Sequence, residues 1–174
     1  YYGVVTLLQA ASAAKQPGQP VPALSIRDFP SFPRRIMATT VQFHNRKDIG
    51  DGNGGYRIDL MKRWIERQVA GGKYNVLVLC WANQVNYPSI PEVHHPANFT
   101  PEEVSDLFAF AREHFLETMP GTVFGAHATS FTQHFPELIE ERWGKKQMDV
   151  TLPGVYSLME RLFNDLLDMA GPET

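Results

Sequence analysis

Apolar and polar positions along this chain alternate between two periods, and the switches mark out its elements. Asn75–Trp81 is a short, nearly unbroken apolar run, the pattern of a strand covered on both faces as in a parallel sheet. From Pro101 the spacing changes to helical: Val104, Leu107, Phe108, Ala111 and Phe115 share one face. Thr100 is placed to cap that helix, with Pro101 as its first residue and Glu103 as the reciprocal capping partner. A second, small-residue strand is expected over Thr122–Ala126. In a strand–helix–strand unit, functional residues lie beyond the C-terminal ends of the strands. Those positions hold Trp81, Asn83 and Gln84 after the first strand and His127 after the second.

The rest of the chain extends the same rhythm. Tyr2–Ala14 reads as a helix and Gln16–Pro22 as a Pro/Gly linker. Leu24–Pro33 is extended, because each residue before a proline is pushed from α towards β. Ile36–Phe43 is a candidate strand and His44–Gly55 a polar, glycine-rich loop. Tyr56–Ala70 is a helix with Ile58, Met61, Ile65 and Val69 on one face, and Gly71-Gly72 is expected to end it in a left-handed cap. Phe131–Trp143 reads as a short helical segment, Gln147–Pro153 as irregular or a short strand, and Val155–Met169 as an amphipathic helix on Leu158, Leu162, Leu166 and Met169. The order is helix, linker, β, α, β, α, β, α. That is an α/β fold with parallel βα units. Three such units fit an open sheet or the first part of a (β/α)8 barrel; a whole barrel needs about 250 residues.

Composition narrows the function classes. The 174 residues are 43% hydrophobic, enough for one sizeable core. A net charge of −3 offers no basic footprint for nucleic acid. No apolar run is long enough to span a membrane as a helix. The single cysteine, Cys80, excludes an internal disulfide and any multi-cysteine metal site, and its place in the apolar strand reads as a buried thiol. The chain opens at Tyr1 inside an apolar pattern and stops at Thr174 after an amphipathic helix, which reads as a piece of a longer polypeptide.

Several motifs point to chemistry and fail on spacing. Gly50–Gly55 matches G-x-G-x-x-G, but polar residues separate it from the strand and no acid ends the next strand, so a nucleotide site is not supported. Asp48, Asp51 and Asn53 resemble a calcium loop that lacks its bidentate glutamate. His94-His95 point to opposite sides of an extended segment, and His127 and His134 are not at helical zinc spacing, so no metal is expected. Asn98-Phe99-Thr100 is a glycosylation sequon, though Thr100 is already explained as a cap. Nothing calls for a cofactor. What survives is positional: Trp81, Asn83, Gln84, Asn86 and Tyr87 beyond one strand and His127 beyond the next. Aromatic faces, amides and a neutral imidazole suit a polyhydroxylated ligand. A tryptophan packed under its loop and a histidine bonded to backbone explain the same residues equally well.

The order of short motifs resembles the family 20 glycoside hydrolases, the β-N-acetylhexosaminidases. Tyr1–Gln9 resembles that family's G-x-x-T-L-x-Q segment; Ile26–Pro30 and Phe32–Arg35 resemble the stretch entering its first barrel strand; Lys73–Leu77 matches the K-x-N-x-L of its second. Phe99–Glu103 with Ala111–Glu113, then Pro120, His127-Ala128 and Phe135–Leu138, follow in the family's order. The resemblance implies that residues 1–22 end a preceding small domain and linker, and that residues 23–174 form the N-terminal part of a (β/α)8 barrel. It implies a carbohydrate substrate and a secreted or periplasmic setting. Of the family's site residues only His127 carries over; Trp81 and Asn83, with His44 last, join it as candidates for the sugar-site wall by their positions beyond the strands. It also implies a substrate-assisted mechanism, in which the 2-acetamido group attacks, an Asp steadies it and a Glu is the general acid. That Asp-Glu pair follows the family's fourth strand, so it is expected beyond residue 174 and no catalytic residue lies within this chain. The family's H-x-H-L-x-D-D is replaced here by Val78, Cys80, Trp81, Asn83 and Gln84. A non-catalytic barrel relative that binds glycans or a protein partner is therefore the alternative. Partners are the carbohydrate, the rest of the parent chain and, through an open sheet edge, a second copy.

Overall fold

A computed structural model describes residues 1–12, 25–41, 58–81, 84–96, 98–125, 128–140, 142 and 147–172. Three parallel strands, β1 (Ile36–Val41), β2 (Val76–Trp81) and β3 (Glu117–Gly121), form one sheet in the order β1-β2-β3. The register runs Ile36↔Val76↔Glu117 at one end and Thr40↔Cys80↔Gly121 at the other. Helices alternate with the strands: α1 (Tyr2–Ser12), α2 (Ile58–Trp64, continuing as a π-helical stretch Ile65–Ala70), α3 (Pro101–Glu113), the short α4 (Thr129–Thr132) and α5 (Pro153–Ala170). This is the expected alternation of parallel βα units.

The strand period of two assigns the two faces of the sheet. Leu77, Leu79 and Trp81 of β2, with Val41 of β1, point into the helix layer and are buried there with Leu107 and Phe108 of α3 and Leu158, Leu162 and Leu166 of α5. Each such side chain contributes roughly 1.5–3 kcal/mol on burial. The opposite face carries Ile36, Ala38, Thr40, Val78, Cys80 and Met119, of which Ile36, Ala38, Thr40 and Met119 are exposed.

Local chemistry explains the helix ends. Glu103 N–H donates to Thr100 Oγ1 at 3.3 Å and Thr100 N–H donates to Glu103 Oε2 at 2.9 Å, closing the expected capping box before α3. At the other end of α3, Phe115 does not join the apolar face. The helix stops at Glu113, and Phe115 takes a left-handed φ of 59° with its ring exposed beside Tyr1. On α5 the buried stripe is the expected one, Leu158, Leu162, Leu166 and Met169, joined by Val155.

Three expectations are corrected. Gly71 does not take a left-handed cap: its φ is −62°, and the left-handed residue is Lys73 at 62°. Glycine is needed there for close approach, since a Cβ on Gly71 or Gly72 would sit 2.4 Å from the carbonyl oxygen of Arg67 or Gln68. The third strand is Glu117–Gly121, not Thr122–Ala126. Pro120 hides it from a propensity reading, yet β3 is an edge strand among the described residues, and an edge tolerates a residue without an N–H. Finally, the segment from Phe131 is one turn of α4 and a 3-10 turn at Pro136–Leu138 rather than a continuous helix; the proline restarts it. Met148 then bridges back to Ile139 in an antiparallel pair.

Candidate functional site

The N-terminal ends of the strands are a polar brace. Asn75, just before β2, accepts from Arg35 N–H at 2.7 Å and donates through Nδ2 to the Pro33 carbonyl at 2.8 Å, fixing the entry to β1. Glu117 N–H donates to the Asn75 carbonyl at 2.9 Å, so the same residue also aligns β3. The left-handed Lys73 sends its ammonium to Asp28 and, at 2.9 Å, to Thr6 of α1. Tyr2 donates its phenol to the Tyr74 carbonyl at 2.8 Å, and the Arg35 guanidinium lies 5.3 Å from the Tyr2 ring centre. The hydrogen bonds from Lys73 and Thr6 hold the Asp28 carboxyl below its ordinary value. An open cavity of about 460 Å³ lies here, lined by Tyr2, Thr6, Asp28, Arg35 and Lys73 among others. In barrels this end of the strands carries stability and the opposite end carries chemistry, so the cavity is not the candidate site.

The C-terminal end is organised around the carbonyl of Trp81. Thr122 Oγ1 donates to it at 2.7 Å and the Tyr87 phenol at 3.3 Å, tying together the exits of β2 and β3. Tyr87 is wholly buried, and burial first of all pushes its phenol far above the ordinary range, so it stays protonated. Beyond β2 the chain is stitched to the approach of α3: Phe99 N–H donates to the Gln84 carbonyl at 2.8 Å and Asn86 N–H to the Phe99 carbonyl at 2.9 Å. Beyond β3, Gly125 takes a φ of 92° and its carbonyl accepts from Met148 N–H at 2.9 Å. Phe124 and Tyr87 both pack on Phe131, at centroid distances of 5.9 and 6.3 Å.

The residues expected at the sugar wall divide unevenly. Asn83, His127 and His44 lie outside the described residues, as do Asp48, Asp51, Asn53 and the Gly50–Gly55 motif. Trp81 is described, and its ring faces the helix layer, 0% exposed, edge-on to Phe99 at 5.3 Å and Phe108 at 6.3 Å. A residue whose side chain occupies the sheet–helix core has no face left for a ligand. Its Nε1 has no hydrogen-bond partner among the described residues. Gln84 is likewise buried. Asn86 accepts from His95 N–H at 2.9 Å and so spans its own loop. His94 bonds the Tyr87 carbonyl at 2.8 Å. Among the described residues no cluster of three metal-binding side chains occurs. Asn98 of the sequon is buried, its amide turned to the Val93 carbonyl at 3.4 Å. Cys80 is half-buried on the face of the sheet away from the helices rather than fully buried as expected, and the burial it has raises the pKa of its thiol.

Sequence reasoning missed the anchoring of this loop to α5. Asp165 accepts from Ser89 N–H at 2.9 Å and from Ser89 Oγ at 2.7 Å, and the Arg161 guanidinium donates to the Ser89 carbonyl. The signal was there as an Arg/Asp pair four apart on the helix, which reads as solvated charge until a partner is visible.

Parallel strands alternating with helices, with loops gathered at the strands' C-terminal ends, place the chain among βα-barrel architectures as a partial barrel. Solved structures of that kind match it. The GH20 β-N-acetylhexosaminidase from Streptomyces coelicolor A3(2) aligns with a TM-score of 0.74 and 22% identity, over 97% of this chain and 38% of that one. A second β-N-acetylhexosaminidase gives 0.73 and 20%, over 97% and 40%. The chitobiase from Flavobacterium johnsoniae gives 0.63 and 18%, over 82% and 23%. The chain therefore spans well under half the length of these enzymes. No family model and no curated protein matches the sequence.

Proposed function

We propose that this chain is the N-terminal part of a glycoside hydrolase barrel acting on glycans that contain N-acetyl-hexosamine. The observation that carries the reading is the fold match over 97% of the chain to a β-N-acetylhexosaminidase, in the segment where the short sequence motifs already follow that family's order. In this reading residues 1–22 close a preceding small domain and 23–174 open the barrel. The sugar lies at the C-terminal ends of the strands, met by Asn83 after β2, His127 after β3 and His44 after β1. Trp81 supports the floor from the core side. The substrate's 2-acetamido group is the nucleophile, and the Asp-Glu pair that serves it comes from beyond residue 174. Within this chain the job is to bind and orient.

A second reading has its own support. Val78, Cys80, Trp81, Asn83 and Gln84 stand where the family carries histidines and acids. A barrel that binds glycans or a protein without cleaving them accounts for that loss.

The test is hydrolysis of a panel of chromogenic N-acetyl-β-hexosaminides by the full-length polypeptide, with the 174-residue chain as control and His127→Ala beside the wild type. Turnover by the full-length protein alone, weakened in His127→Ala, is expected. No turnover on any member, with retained binding on a glycan array, would replace hydrolysis by the binding role.

A further inference from the structure

We infer that Arg161 and Asp165 of α5 are positioning residues for the sugar site, acting through Ser89. This rests on the sugar-binding reading above. One residue of the loop after β2 has all three of its polar groups held by two side chains one helical turn apart. Asp165 takes the Ser89 N–H at 2.9 Å and the Ser89 hydroxyl at 2.7 Å. Arg161 donates to the Ser89 carbonyl and lies 3.9 Å from Glu92 of the same loop. Hydrogen bonds to ionised groups are the strong ones, and here they act on backbone, so they fix the course of the chain rather than one side chain.

The grip passes directly to the strand end. Tyr87, two residues before Ser89, is wholly buried and donates to the Trp81 carbonyl at 3.3 Å, where Thr122 also donates at 2.7 Å. His94, on the far side of Ser89, bonds the Tyr87 carbonyl at 2.8 Å. Helix α5 thus sets the loop that leaves β2, and with it the spacing between the exits of β2 and β3. A hydroxyl-rich ligand read by hydrogen bonds needs that spacing kept to within a fraction of an ångström. Neither Arg161 nor Asp165 touches the sugar.

The experiment compares wild type, Asp165→Ala and Asp165→Asn in the full-length polypeptide. Both bonds go to one Asp165 oxygen, and asparagine can place its Oδ1 there to accept from Ser89 N–H and from the Ser89 hydroxyl, so it retains the geometry. Hydrogen exchange over residues 84–96 reads the clamp, and affinity for N-acetylglucosamine reads the site. Asp165→Ala is expected to speed exchange in that loop about tenfold while α3 stays protected, and to weaken the sugar about tenfold, with Asp165→Asn restoring most of both. Unchanged loop exchange in Asp165→Ala would overturn the clamp. Faster exchange with unchanged sugar affinity would overturn its positioning role. A wild type that binds no N-acetylglucosamine would remove the sugar reading and the positioning role with it, while the exchange data still decide separately whether the clamp holds the loop.

Discussion

Replacing Asn75 by alanine tests whether the strands' N-terminal brace holds the sheet in register. The side chain sits between two strands and bonds backbone on both sides of Arg34, accepting from Arg35 N–H at 2.7 Å and donating to the Pro33 carbonyl at 2.8 Å. Each bond nets about 0.5–1.5 kcal/mol, and alanine leaves both backbone groups without their partner, so a loss of about 1–3 kcal/mol is expected. Pro33 is exposed and water can replace part of its bond, so the Arg35 N–H carries the larger share. For a chain of this size that loss lowers Tm by about 2–12 °C. Asn75→Asp separates the two bonds, because a carboxylate still accepts from Arg35 N–H but donates nothing to Pro33. It should retain more stability than alanine. Urea unfolding of wild type and both variants, followed by far-ultraviolet circular dichroism, supplies the measurement. A loss below about 0.5 kcal/mol in Asn75→Ala, the size of an ordinary surface change, would refute the brace.

Two further outcomes follow from the packing and the charges. Trp81→Phe should leave sugar affinity within about twofold, because the ring lies in the core, and should change stability by no more than about 1.5 kcal/mol, since lost volume is offset by removing a buried Nε1 that has no partner among the described residues; isothermal titration and unfolding curves check both, and a selective collapse of sugar binding would put the ring back at the site. The Asp28 carboxyl is held below its ordinary value of 3.8 by Lys73 and Thr6, so its contribution is present above that value and is lost as pH falls through the lowered one. A carboxyl carbon NMR titration should place its midpoint below 3.8, and Lys73→Met should return it towards 3.8; a wild-type midpoint at or above that value would contradict the ion pair.

What the sequence determined by itself was the alternation of elements and their faces, because burial period is written locally. Leu158, Leu162, Leu166 and Met169 are buried as their spacing requires, and Thr100 with Glu103 forms the capping box that three-residue spacing allows. The order of short motifs also pointed to the fold that the solved structures share, since Lys73, Asn75, Asp28 and Arg35 are the residues that brace the strand entries. Tertiary structure decided what depends on a partner distant in the chain. A strand containing Pro120 exists because β2 supplies the ladder on one side and, among the described residues, the other side is an edge. The direction of the Trp81 ring was open between ligand and core until the register assigned it to the helix layer. The Arg161–Asp165 grip on Ser89 joins residues more than seventy positions apart. Periodicity tells each residue which way to face; only the assembled fold tells it what it will meet there.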